Sequence, residues 1–253
     1  MILPVRRVSD VWEGHAGFVL PLLRPGMRVL HVGCVRQEDR GGARSTASLG
    51  TAVHPIHIIG LDTDVDELQY VRRASELAAV STVDFVACDV RSLAVSSGSI
   101  DLVYAHGLLE REPDPVLVLA EFARVLKPDG VLALSTPDWS RTRVKPKTAN
   151  VDAALRGWTL LRRRQGGDPF AGRHVDDWVR RAGFRDVRSK ARYYTGDDYR
   201  GLARTIETEL AEALDASDDM DPQLASAARS AWMWVRGGQG EVSECWVETV
   251  AVR

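Results

Sequence analysis

Two aspartates, Asp62 and Asp89, each stand at the end of a short apolar run, Ile56-His57-Ile58-Ile59-Gly60-Leu61 in one case and Val83 to Ala87 with Cys88 in the other. An ionised carboxylate only accepts hydrogen bonds and has several lone pairs to offer. One at the end of a strand suits the two hydroxyls of a ribose, and one on the next strand suits an adenine amino group. A loop acid alone reads equally well as a solvated helix cap, so the shared register of the two carries the argument. Gly33 closes a third apolar run, Arg28-Val29-Leu30-His31-Val32, and reads either as a turn residue or as the place where backbone approaches a ligand closely.

Three histidines invite a chemical reading. His106 stands just beyond the run Ile100 to Tyr104, and its unperturbed pKa of about 6.5 suits a general base; the competing reading is a packing or ligand-lining residue. His15 reads as a second base or as a surface residue. His31 reads as a packed, hydrogen-bonded strand histidine or as the loss of an acidic anchor for an ammonium group. The segment Arg36 to Arg44 contains Glu38, Asp39, Gly41 and Gly42, which either displace that carboxylate and flexibility or belong to a surface loop. Trp12, Trp139, Trp158, Tyr193, Trp232 and Trp234 are candidates for an apolar substrate wall, with ordinary core as the alternative. Cys34, Cys88 and Cys245 lack Cys-x-x-Cys spacing and read as reduced packing residues rather than metal ligands.

Apolar strands alternating with amphipathic helices position these groups, the pattern of a parallel sheet covered on both faces. Strands are predicted at Arg28–Val32, from Ile56 to Leu61, at Val83–Ala87, Ile100–Tyr104, Val131–Ser135 and Val187–Tyr194, and from Glu241 to Val252. Helices are predicted at Val11–Leu23, from Val65, after Asp114-Pro115, after a cap at Asn150, at Val175–Ala182, Asp198–Leu214 and Pro222–Arg236. Gly166-Gly167-Asp168-Pro169 breaks one helix, and Lys127-Pro128-Asp129-Gly130 turns the chain into the fifth strand.

Several of these stretches resemble motifs of the class I S-adenosylmethionine-dependent methyltransferases. Gly60-Leu61-Asp62-Thr63 is similar to the ribose motif and Ala87-Cys88-Asp89-Val90 to the adenine motif. Ser99-Ile100-Asp101-Leu102-Val103-Tyr104-Ala105-His106 matches the fourth strand, and Asp114 to Ser135, with its Val-Leu-Lys-Pro-Asp-Gly turn, is the most family-like stretch. The tail resembles the ubiquinone/menaquinone-biosynthesis-like branch of small-molecule enzymes. The resemblance implies one Rossmann-like α/β domain over 1–253, a seven-stranded mostly parallel sheet whose last strand is antiparallel, and lid helices at 139–172 and 197–238.

For function it implies S-adenosylmethionine as cofactor, S-adenosylhomocysteine as product and a small-molecule nucleophile, such as a secondary metabolite, as acceptor. Gly33, Asp62, Thr63, Asp89, Val90 and His106 would meet the cofactor, with His106 also catalytic. The glycine motif departs from the family: His31 stands at the acidic position, and Val35 and Gln37 replace the second and third glycines. A methyltransferase-like protein with lost or altered cofactor binding is therefore the second reading. A nicotinamide dehydrogenase would need a Gly-x-Gly-x-x-Gly turn.

The formal net charge of −2 and the even spread of 33 basic residues give no electrostatic footprint for nucleic acid or an anionic membrane. No run reaches the roughly 18 apolar residues of a membrane span. A cytoplasmic protein acting on a small molecule is expected; the composition says nothing of oligomeric state, and a homodimer is left open.

Overall fold

The computed structural model describes residues 16–34, 46, 49, 56–77, 82–197, 199–216 and 221–253. Its strands, all in one sheet, are β1 (Arg28–Val32), β2 (His57–Asp62), β3 (Val83–Ala87), β4 (Ile100–His106), β5 (Leu126–Pro137), β6 (Arg143–Lys145), β7 (Arg185–Asp197) and β8 (Glu241–Val252). The helices are α1 (Val65–Leu77), α2 (Pro115–Val125), α3 (Ala149–Arg164), α4 (Val175–Arg181), α5 (Tyr199–Asp215) and α6 (Pro222–Arg236). The order across the sheet begins β3-β2-β1-β4-β5, all parallel, and continues with β8, which is antiparallel to β5 and to β7.

The antiparallel final strand is where the sequence placed it, beside the sixth predicted strand. Among the described residues there are eight strands rather than seven, because β6 pairs with Glu241–Ser243 and so shares one edge of β8 with β5. Three residues, two of them cationic, are too short a stretch to show period-2 alternation, so only the pairing reveals this strand.

Local chemistry explains most boundaries. Apart from Arg28, β1 is buried along its whole length, as a central parallel strand must be. Asp101, at the start of β4, accepts the Arg28 N–H (2.9 Å) and the Lys127 ammonium (2.7 Å), joining the beginnings of three strands. Asp114 caps α2 by accepting the Leu117 N–H at 3.1 Å, with Pro115 in the first turn where no donor is lost. Val118, Leu119, Phe122 and Val125 then form the buried stripe of α2.

Three predicted boundaries move. The cap of α3 is Thr148, whose hydroxyl accepts the Val151 N–H at 3.2 Å, and not Asn150. The predicted first helix is, in its described part, a turn and a 3-10 helix at Leu20–Leu22, where Pro21 removes a backbone donor. The Lys127-Pro128-Asp129-Gly130 turn lies within β5, with Asp129 at φ 63° and a register shift against β4. His15, Glu38, Asp39, Gly41, Gly42, Trp12, Val35 and Gln37 lie outside the described residues.

The apolar side chains form separate cores. One face of the sheet packs on α2 and α4 through Phe122, Val175, Val179 and Phe184. The other buries Val29, Ile58, Leu102 and Tyr104 with Val19 and Leu23. A further core joins α3, α5 and α6 through Trp158, Ile206, Leu210 and Trp234, and reaches the sheet at Val242. This helical unit is built from the stretches read as lid material. Among the described residues, no helix is long and apolar enough to cross a membrane.

Candidate functional site

Because β1 to β5 run parallel, their carboxyl ends open on the same side of the sheet, where ligands of open α/β folds bind. A cleft lies there, lined by Val32, Gly33, Leu61, Asp62, Thr63, Cys88, Val90, Leu108 and Glu112. Four of the six residues singled out in the sequence, Gly33, Asp62, Thr63 and Val90, therefore meet in one place.

Gly33 has φ 73°, which favours glycine, and its N–H donates to Leu61 O at 2.8 Å. The neighbouring Cys34 N–H donates to the same carbonyl at 3.2 Å, so the turn after β1 is tied to the end of β2. Gly60 is needed for a different reason: a Cβ there would lie 2.7 Å from the Phe85 ring of β3. Asp62 is held at the mouth of the cleft through its backbone and its side chain. Its carbonyl accepts the Cys88 N–H at 3.0 Å, and its Oδ1 accepts the Thr63 N–H at 2.8 Å.

Asp89 is engaged differently and is not among the residues lining the cleft. Arg91 donates to its Oδ1 from the backbone N–H (2.8 Å) and Nε (3.0 Å), and to its Oδ2 from Nη2 (2.7 Å). These contacts pull the Asp89 pKa down to about 2. The group is half exposed, so screening by water limits what the pair contributes to stability.

Both disputed histidines are buried, and neither lines the cleft. His31 is 2% exposed, its Nδ1 lies 2.7 Å from Thr46 Oγ1, and its ring stacks on Tyr104 at 4.9 Å. His31 is thus the packed, hydrogen-bonded strand histidine of the first reading. His106 is the last residue of β4 rather than lying beyond it, and is 4% exposed. It is opposite Ser135 in register, with its ring stacked on Trp246 at 4.2 Å and 12°. The tryptophans disperse: Trp158 and Trp234 are buried in the helical unit, Trp139 meets Trp158 edge-on at 4.7 Å, and Trp232 and Tyr193 are exposed.

Cys88, Leu108 and Glu112 are cleft residues that sequence reasoning did not single out as ligand-facing. Cys88 read as a packing residue, and burial raises its thiol pKa as that role requires. Leu108 and Glu112 lie between β4 and α2, in a stretch with neither strand nor helix periodicity, flanking the 3-10 turn Leu109–Arg111. The charged side chains on the cleft, Asp62 and Glu112, are both acidic, and the rest of the lining is apolar or small apart from Thr63. Such a lining accepts hydrogen bonds, tolerates positive charge and provides apolar walls for a planar group.

Comparison with known proteins agrees with this geometry. The family model described as a methyltransferase domain matches residues 23–183. An uncharacterized 37.1 kDa protein in a transposon of Streptomyces fradiae is 34% identical over 134 residues, covering 52% of this chain and 36% of that protein. A ubiquinone biosynthesis O-methyltransferase of Xanthomonas campestris is 37% identical over 115 residues, 44% of each chain. The chain thus spans less than half the length of these curated relatives. Among solved structures, the YcgJ protein of Bacillus subtilis superimposes with a TM-score of 0.63 at 15% identity, covering 97% of this chain and 98% of that one, a likeness of fold. With the family model spanning well over half of the sequence and the cleft at the ends of β1 to β4, the chain belongs to the methyltransferase domain family, of the class I S-adenosylmethionine-dependent type.

Proposed function

We propose that the protein transfers a methyl group from S-adenosylmethionine to an oxygen, nitrogen or carbon nucleophile of a small molecule. The observation that carries this reading is the meeting of Gly33, Asp62, Thr63 and Val90 on one cleft. Its lining suits the cofactor: an acceptor for ribose hydroxyls at Asp62, apolar walls at Leu61, Val90 and Leu108, a glycine turn at Gly33, and no cationic side chain among the lining residues. The name of the Xanthomonas relative supports a small-molecule acceptor.

When bound, the cofactor supplies the electrophilic methyl group. The work of the chain is then to orient the acceptor in line with that group and exclude water, which depends on placement more than on reactive side chains. A neutral amine needs no base, whereas a hydroxyl gains from one. His106, read from the sequence as that base, is buried against Trp246 and does not line the cleft, so no base is assigned here.

Calorimetric titration with S-adenosylmethionine and S-adenosylhomocysteine tests the core of the proposal. Binding of both is the expected result. Absence of binding by either overturns it in favour of a methyltransferase fold with altered cofactor use, the reading that His31 at the acidic position favours.

A further inference from the structure

Three consecutive arginines close α3, and they are not alike. Arg162 pairs with Glu209 and Arg164 with Asp221. Arg163, between them, has no such acid. Its guanidinium lies over the Phe170 ring, 5.0 Å from the centroid, and that of Arg173 approaches the same ring at 5.9 Å. Both arginines are exposed, and among the described residues neither guanidinium has a hydrogen bond or an ion pair. Asp168 is engaged elsewhere: its Oδ1 accepts the Phe170 N–H at 2.9 Å, and its Oδ2 faces His174 at 3.7 Å.

The backbone fixes this arrangement beside the cleft. The Asp168 N–H donates to Glu110 O at 2.8 Å, and a Cβ on Gly167 would lie 2.5 Å from the same oxygen. The turn before Phe170 is therefore packed on the segment that follows Leu108 and contains Glu112, both cleft residues. Phe170 O accepts the Arg173 N–H at 2.9 Å, which holds the second arginine to the same ring.

A place in the last turn of α3 suits any cation, but it accounts for neither Arg173 nor the shared ring. Two cations on one ring repel each other, and an exposed cation–π contact is a weak hold. An oxyanion between them would replace that repulsion with charge-assisted hydrogen bonds, because each guanidinium presents paired donors that match phosphate and carboxylate oxygens. Charge selects between the two groups. A pair of positive charges matches a phosphate ester, at about −1.5 to −2 near pH 7, better than one carboxylate.

We propose that Arg163 and Arg173 form a subsite for the phosphate group of a small molecule, with Phe170 as its floor. Under the function proposed above, on which this part rests, that molecule is the methyl acceptor, anchored beside the cleft.

The test is calorimetric titration of the intact protein with inorganic phosphate and with acetate, at low ionic strength and without cofactor. Phosphate is expected to bind about tenfold more tightly than acetate, or better. Arg163→Ala and Arg173→Ala should each weaken phosphate by about tenfold or more, the worth of a hydrogen bond between charged groups. Arg163→Lys should fall between, since an ammonium keeps the charge and loses the fork. Arg73→Ala, which removes the same charge from an exposed position on α1, should leave the affinity within about twofold. The ratio of phosphate to acetate affinity is taken on a single protein, so loss of folded material does not change it.

A wild type that binds no phosphate, or binds acetate equally well, overturns the proposal. So does a phosphate affinity that survives both alanine substitutions, or that falls as far in Arg73→Ala. A wild type that binds phosphate but not S-adenosylhomocysteine keeps the subsite and counts against the proposed function instead.

Discussion

Asp62 owes its position to the turn that follows it, since its Oδ1 takes the Thr63 N–H while the backbone is pinned to β3 through Cys88. A charged acceptor on a ribose contributes about 1.5–3 kcal/mol. Asp62→Ala is therefore expected to raise the calorimetric Kd for S-adenosylhomocysteine on the order of tenfold to a hundredfold, and an unchanged Kd would remove Asp62 from the site. Asp89 gives a pH prediction. Its pKa is depressed to about 2 by Arg91, so the stabilisation it offers is present above the ordinary carboxylate pKa near 4 and is lost as pH falls toward 2. NMR titration should find this carboxyl near 2 in the wild type and near 4 in Arg91→Ala. For His106, buried against Trp246 and off the cleft, His106→Gln is expected to leave kcat within a fewfold of wild type, whereas a fall of roughly a hundredfold or more would make it a general base. Gly33, Asp62, Thr63 and Val90 were legible in the sequence because they follow strand ends whose apolar runs can be counted. Glu112 was not, because its place on the cleft depends on how the turn before α2 docks, which no local pattern encodes.

The same distinction holds for elements. β1, β3, α6 and β8 begin and end at the predicted residues, since each joins a clear apolar pattern to a turn or cap signal. The cap of α3 was misplaced because Thr148 and Asn150 are both good cap residues, and only the bond from Val151 N–H to Thr148 separates them. Thr148→Ala should lower stability by about 1 kcal/mol in denaturant titration, whereas Asn150→Ala should leave it nearly unchanged. The crossing of α3 and α6 is set by Gly157, where a Cβ would collide with Ala227. Such an approach between helices is invisible in either sequence segment alone. Gly157→Ala is expected to destabilise by about 1–3 kcal/mol through overpacking, and a stability within error of wild type would mean that the helices separate freely.

At the scale of the molecule, the α3/α5/α6 core is distinct from those on the two faces of the sheet, so these helices should respond to local destabilisation as a unit. Hydrogen exchange should find their amides opening together, and Gly157→Ala should raise that rate more than exchange in β1 and β4. The mixed sheet also constrains the order in which the chain can assemble. β7 has β8 as its sole strand partner among the described residues, and β8 is also the antiparallel neighbour of β5. A ribosome synthesises residues 241–252 only after everything else in this sheet. The sixteen-residue helix α3 and the whole of β7 therefore leave the exit tunnel before the strand that anchors them exists. While β1 to β5 can pair in the nascent chain, β7 must wait unpaired, a period in which a chaperone would find its long open edge.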